Sequence, residues 1–267
     1  MTIALYLLLG AVFVLIFTRE VIAPASGASC DRRWQVLASV LNLLQVTGVL
    51  LAGFLFPTTL FSHSLLALGD SLGPLMGGMV TFLVASLLAY WWHRATHRSD
   101  FLWRTIHQLH HSPDRIEAHT AFFVHPLDAF VAAIITSVSG FLILGLDVES
   151  VGVGLFLAAA YNFYIHSDTN SPRWLGIFIQ RPEMHRVHHQ RHHHADNYGL
   201  PLWDLLFGTW KNPVDRVTDC GFEPHEREQI KAMLLGRDVS PKQVASNVAP
   251  SSEIDNQTTA SGHLTND

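Results

Sequence analysis

The sequence predicts an all-α fold: an integral-membrane helical bundle of four to five spans with a cytoplasmic helical cap that carries a histidine-rich dimetal site. Three observations predict it. Only 15% of the 267 residues are charged and 49% are hydrophobic, where soluble domains carry roughly 25% charge. Five apolar stretches recur, near residues 3–18, 36–56, 75–92, 127–146 and 151–165. Eight of the 17 histidines fall into three clusters at helical spacing.

The first stretch stays apolar through Phe17, and its first basic residue, Arg19, comes after the run. A signal peptide places its basic residues before the run, so this stretch reads as a membrane helix; a secretory signal is the alternative. A bilayer core of about 30 Å needs about 20 helical residues. The second and third stretches meet that length, the first and fourth are adequate, and the fifth is short. Gly152-x-Gly154 within it reads as helix packing.

Loop charge sets the orientation. Residues 57–74 hold no Lys or Arg, only Asp70, and the fourth stretch is followed by Asp147 and Glu149. Arg19, Arg32 and Arg33 separate the first two stretches, while Arg94, Arg98, Arg104 and Arg115 follow the third. Basic loops face the cytoplasm, which places all three clusters and His166 on that side and His63 opposite.

Trp91-Trp92 marks the membrane interface, so His93-x-x-x-His97 emerges just beyond the third span. Ser99 or Asp100 can cap a new helix running to Ser112-Pro113, with His107-x-x-His110-His111 on it. Pro182-Glu183 fits the start of another helix, carrying His185-x-x-His188-His189. One short helix is expected near Glu226–Leu235, then disorder from about residue 238, where Ser, Thr, Asn, Asp and Pro dominate.

Residues three or four apart share a helix face, so each cluster can aim its imidazoles at one point. Three such faces, with His166, can enclose two metal ions. Without metal, a buried cluster would leave unpaired nitrogens at about 1–3 kcal/mol each. Cys30 and Cys220 cannot supply the thiolates of an iron–sulfur cluster. Nitrogen donors suit Zn, Cu, Fe or Ni, and a membrane setting favours redox iron. His125, before Pro126, either orients a neighbour or is structural. His119 is a weaker candidate, His192–His194 read as loop residues, and His225 and His263 as solvated. The net charge of −5 argues for no nucleic-acid partner. A histidine-rich metal-binding or transport protein is the alternative, but transport needs polar groups within the spans, where Asn42, Gln45 and Thr47 are few.

From Trp91 to Pro213 the ordered motifs go further. They are the three histidine clusters, Val124-His125-Pro126-Leu127-Asp128, Tyr164-Ile165-His166-Ser167-Asp168, Asp196-Asn197-Tyr198-Gly199, and Leu202-Trp203-Asp204-Leu205-Leu206-Phe207-Gly208-Thr209-Trp210. In this the chain resembles the fatty acid hydroxylase/sterol desaturase superfamily of integral-membrane di-iron oxygenases. The resemblance implies three regions: N-terminal membrane helices at 1–70, a catalytic domain at 71–215 and a C-terminal cytoplasmic segment at 216–267. It implies two irons, with zinc a possible substitute in purified protein, and O2 as co-substrate. The ligands it implies are His93, His97, His107, His110, His111, His166, His185, His188 and His189. Asn197 and Asp204 would orient imidazoles through hydrogen bonds, with His125 and Asp168 as further candidates; Glu183 would do the same or favour its helix terminus. The reaction implied is hydroxylation or desaturation at an unactivated C–H bond of a lipid: sterol, fatty acyl, hopanoid, carotenoid or alkyl ether. Electrons would come from an external ferredoxin, cytochrome or reductase. The chain departs from the family at Phe123, where Arg is frequent, and at Asp168, where many members have Asn. An inactive member retained as a scaffold is a further reading.

Overall fold

Each apolar stretch forms a helix. α1 (Thr2–Ile22), α2 (Arg32–Leu55) and α3 (Pro74–Arg98) come first. The short α4 (Asp100–Leu102) and α5 (Gln108–His111) follow, joined by a π-helical turn at Trp103–His107. α6 (Pro126–Ser137) continues as a π-helical segment, Val138–Ile143, and α7 (Val148–His166) is the last long helix among the described residues. α8 (Pro182–His188), α9 (Pro201–Phe207), α10 (Pro224–Arg227) and α11 (Ile230–Leu234) are the remaining α-helices among the described residues. This computed structural model describes residues 2–28, 31–55, 63–69 and 71–240. Most of the tail expected to be disordered lies outside the described residues, as do Cys30, Asp70 and His263. Among the described residues there is no β-strand, only an antiparallel bridge between Gln190 and Cys220.

Five helices are long and apolar enough to cross a bilayer: Ala4–Ile22, Arg32–Leu55, Pro74–Arg98, Pro126–Ile143 and Val148–His166. The chain is built as a multi-pass membrane protein. The fifth stretch reaches span length because Asp147 caps it, its carboxylate accepting from the Ser150 N–H at 2.7 Å. Leu7, Leu43 and Phe54 are 71%, 70% and 80% exposed, as side chains facing lipid must be.

α3 and α7 form the most extensive helix pair, with α2 against α6 and α1 against α7. Glycine lets the central pair approach closely: a Cβ on Gly154 would lie 2.7 Å from Thr81 Cγ2, and one on Gly78 would run into Val153. At the far end, the C-terminal carbonyls of Leu142, Ile143 and Leu144 accept from the N–H groups of Leu65, Leu66 and Leu68, which satisfies a buried helix end.

At the histidine-bearing end, a 3-10 turn (Ala118–Phe122) packs against α1, α2 and α7. Glu20 of α1 is fully buried and accepts from the N–H groups of Ala118 and Asp168. An apolar cluster of Ala38, Leu41, Trp103, Leu109, Phe123, Phe222 and Met233 ties α2 to the cap. The single helix expected near Glu226–Leu235 is instead two, α10 and α11. The first starts earlier, at Pro224, because the Glu226 carboxylate turns back to accept from the Glu223 N–H at 3.0 Å.

Candidate metal centre

Nine imidazoles converge at one end of the bundle. α3 supplies His93 and His97. The π-helical turn and α5 supply His107, His110 and His111, and the last turn of α7 supplies His166. α8 and the residue after it supply His185, His188 and His189. The nitrogens fall into two groups, His93, His97, His107, His111 and His188 in one and His110, His166, His185 and His189 in the other. Within each group the candidate donor atoms lie within 4.8 Å of one another.

This corrects the expectation that each cluster aims at one point. The i, i+4 pairs His107/His111 and His185/His189 stay together, but His110 and His188 each join the opposite group. Adjacent helical residues point about 100° apart, so His-x-x-His-His must split. Two such motifs facing each other therefore exchange one histidine, and two separate groups of nitrogen donors result.

The donor set fits metal. Nε2 of His166 lies 2.9 Å from that of His185 and 3.2 Å from that of His110, with His185 and His189 also 3.2 Å apart. In the other group, Nε2 of His107 and His111 are 3.2 Å apart. Nitrogens about 2.1 Å from a shared ion and at right angles about it would lie roughly 3 Å apart. The tautomers agree. Nδ1 of His93, His166 and His188 faces the carbonyl oxygens of Tyr198 (2.8 Å), Asn162 (2.9 Å) and Asp196 (2.7 Å). A carbonyl can only accept, so Nδ1 carries the proton and Nε2 is left as a bare lone pair. Nδ1 of His107 faces the Asp128 carboxylate at 3.2 Å, which Trp92 Nε1 also holds at 2.9 Å. Burial, and then the repulsion of neighbouring imidazoles, holds His110, His111, His185, His188 and His189 well below the usual histidine range. Burial thus favours the neutral imidazole, the form that metal binding requires.

The other sequence candidates surround the imidazoles with partners of their own. Asn197 donates to the carbonyls of Met184 and Lys211 and accepts from the Lys211 N–H, so it holds the backbone around α8. Asp204 accepts from the N–H groups of Tyr198 and Gly199 and from Thr209, positioning the carbonyl that meets His93. Burial pushes the Asp204 carboxyl up to about 7, against those three hydrogen bonds. Asp168 and Glu183 bind Arg216 and Arg181 rather than imidazoles. His125 caps α6 and meets the Leu234 carbonyl at 3.3 Å, a structural role. His119 bridges α1 and α2, edge-on to Phe13 and Phe17 and 3.2 Å from Ser39 Oγ. Of the loop histidines, His194 reaches the site, with its Nδ1 3.1 Å from that of His111. His192 and His193 pair with Glu223 and Asp196.

Asp128 is a site residue that the histidine spacing does not signal, although the segment His125-Pro126-Leu127-Asp128 carries it. The carbonyls of Asn162, Asp196 and Tyr198 had no side-chain signal. Asp196 and Asn197 adopt left-handed backbone (φ 64° and 47°), which these residue types tolerate.

A cavity of about 320 Å³ opens from the centre into the bundle. His93, His107, His110, His166 and His185 form one end of its wall. Gln45, Phe82, Leu155 and a set of alanines (Ala85, Ala132, Ala133, Ala158, Ala159) are among the residues that line the remainder.

Comparison with known proteins places this architecture. The fatty acid hydroxylase family model matches residues 78–209. The chain is 31% identical to alkylglycerol monooxygenase of Homo sapiens over 141 residues, 51% of this chain and 31% of that protein. It is 24% identical to sphinganine C4-monooxygenase 1 of Arabidopsis thaliana over 163 residues, 57% of this chain and 61% of that protein. A very-long-chain aldehyde decarbonylase of Oryza sativa subsp. indica is 27% identical over 176 residues, 62% of this chain and 67% of that protein. The matched region thus spans less than a third of the human alkylglycerol monooxygenase. No solved structure matches the chain significantly. The matched segment holds all nine histidines and the elements that position them, and the chain belongs to the fatty acid hydroxylase superfamily.

Proposed function

We propose that this chain is a membrane-bound oxidoreductase that uses O2 to hydroxylate or desaturate an unactivated C–H position of a lipid. The observation that carries this reading is the junction of two buried imidazole groups with an apolar cavity between the spans. His93, His97, His107, His111 and His188 would hold one iron, and His110, His166, His185 and His189 the other. When bound, the irons supply O2 activation and hydrogen abstraction from carbon. The protein's part is positioning. Asp128 and the three carbonyls hold protons at Nδ1, and the cavity aligns an apolar chain while excluding water. Tyr161 donates to the Gly199 carbonyl at 3.1 Å and fixes the cavity wall beside the centre. Small side chains along α6 and α7 leave room for a lipid tail.

Residues 71–215 form the catalytic region in this reading, 1–70 the flanking membrane helices and 216–267 a cytoplasmic segment. The centre faces the cytoplasm, because Arg19, Arg32, Arg33, Arg94, Arg98 and Arg104 lie at its end of the bundle while described residues 63–69 and 144–147 carry no Lys or Arg. Electrons come from an external ferredoxin, cytochrome or reductase that docks on that basic face.

The test is metal content of detergent-purified protein by elemental mass spectrometry, with a dithionite-plus-O2 optical titration. About two irons per chain and an O2-dependent spectrum are expected. His188→Ala and His110→Ala should each lower the iron content and abolish lipid turnover while the protein stays inserted. Turnover retained in both variants, or two zincs with no redox response after iron-supplemented expression, would overturn the reading.

A further inference from the structure

α9 is too short to span a bilayer, yet it packs at bilayer depth. Trp203 Nε1 donates to Ser86 Oγ of α3 at 2.9 Å, and the Phe207 ring stacks on Tyr90 (5.2 Å between centroids) and tilts against Trp91 (4.8 Å). Trp91 marks the interface: the Arg94 guanidinium lies 5.5 Å over its ring, pairing a cation and an aromatic as headgroup-level residues do. Ser86 lies five residues nearer the bilayer centre, about 7.5 Å along the helix axis.

The outward face of α9 is apolar. Leu202, Leu205 and Leu206 are 51%, 51% and 66% exposed, and Asp204, the helix's one charged residue, is buried against backbone N–H groups. The neighbouring 3-10 turn, Arg173–Ile177, contacts α9, and Trp174, Ile177 and Phe178 are exposed beside it. Contiguous apolar surface of this kind is rare on a face bathed in water. On α3 the exposed Leu83, Met79, Met76 and Leu75 recur at helical spacing before Ser86 and so share its face, which extends the apolar surface along the span. Just before α9, Tyr198, Gly199 and Leu200 line the cavity.

We propose that α9 and residues 173–178 form a lip immersed in the leaflet on the metal-centre side, its partner the acyl chains of the bilayer, at the edge of the cavity. Interfacial helices bury their apolar face roughly 5–10 Å into the headgroup–acyl boundary, which agrees with the depth set by Ser86. Immersion depends only on the membrane reading. The lip's use as the route by which a lipid reaches the cavity rests on the proposed function.

The experiment is site-directed spin labelling in phosphatidylcholine nanodiscs, in a Cys30→Ser background where the remaining cysteine, Cys220, is buried. Leu205→Cys and Leu206→Cys carry the label at α9; Leu50→Cys in α2 and Asp215→Cys in the cap are the lipid and water references. Labels at 205 and 206 should collide with O2 in preference to a water-soluble nickel chelate, as the label at 50 does. A chelate preference like that at 215 would overturn the proposal and mark the patch as a protein-docking surface. Iron content measured on the same samples keeps the outcomes apart: immersed labels on metal-free protein would sink the oxygenase reading and leave the lip standing.

Discussion

Asp128 shows how one residue outside the histidine pattern governs it. Its carboxylate faces Nδ1 of His107 and is held by the Trp92 indole, so it fixes a tautomer and, with His107 holding iron as proposed, would strengthen that ligand. Such partners contribute roughly 10–100-fold in metal affinity. Asp128→Asn should therefore weaken iron retention by about that factor, read as metal content after dialysis against a graded chelator. Retention equal to the parent protein would mean that His107 needs no anionic partner. Asn197 works through backbone alone: its side chain joins the carbonyls of Met184 and Lys211 and the Lys211 N–H. Asn197→Ala leaves those buried groups unpaired and should cost about 2–3 kcal/mol, lowering the melting temperature in detergent even of protein stripped of metal. At this scale the nine converging histidines were legible because imidazoles at three- and four-residue spacing have few other uses in number. Their partners were not. A carbonyl oxygen is present at every position, and only the folded backbone selects Asn162, Asp196 and Tyr198.

Elements decide how those residues combine. Helical rotation, not cluster membership, allots His110 and His188 to their groups, and the π-helical turn at Trp103–His107 adds a local rotation that propensities do not reveal. The central pair of spans is set by small residues. Gly154→Leu would drive a side chain into Thr81 and the Gly78 carbonyl; overpacking of this kind costs about 1–3 kcal/mol and often more where backbone must move. A fall in detergent melting temperature is expected, with loss of iron following because α3 and α7 carry His93, His97 and His166. The cavity belongs to the same scale. Ala132→Phe on α6 should leave iron content unchanged but shift turnover toward shorter chains in a homologous lipid series. An unaltered chain-length profile would place the substrate outside this cavity.

Across the whole molecule, the spans were legible from apolar length, since a bilayer imposes a minimum on any helix that crosses it. The way the cap grips the membrane helices was not, because it depends on single polar residues buried far apart in sequence. Glu20 is the clearest case. It sits near the end of an apolar helix, outside residues 78–209 of the family match, yet it is fully buried and accepts from the N–H groups of Ala118 at 2.9 Å and Asp168 at 2.7 Å. Asp168 in turn holds Ser26 and Arg216, so one carboxylate links the first span, the 3-10 turn beneath the cap and the segment just after His166. Glu20→Ala should expose no surface and touch no histidine, but it strands two buried N–H groups at about 1–3 kcal/mol each. The expected result is a lower melting temperature in detergent and faster loss of iron on warming, with Glu20→Gln, which keeps an acceptor oxygen, falling in between. If Glu20→Ala melts with the parent protein, the cap is held by the apolar cluster around Trp103 and Phe222 instead. Substitutions there, such as Phe222→Ala, would then produce the loss assigned here to Glu20.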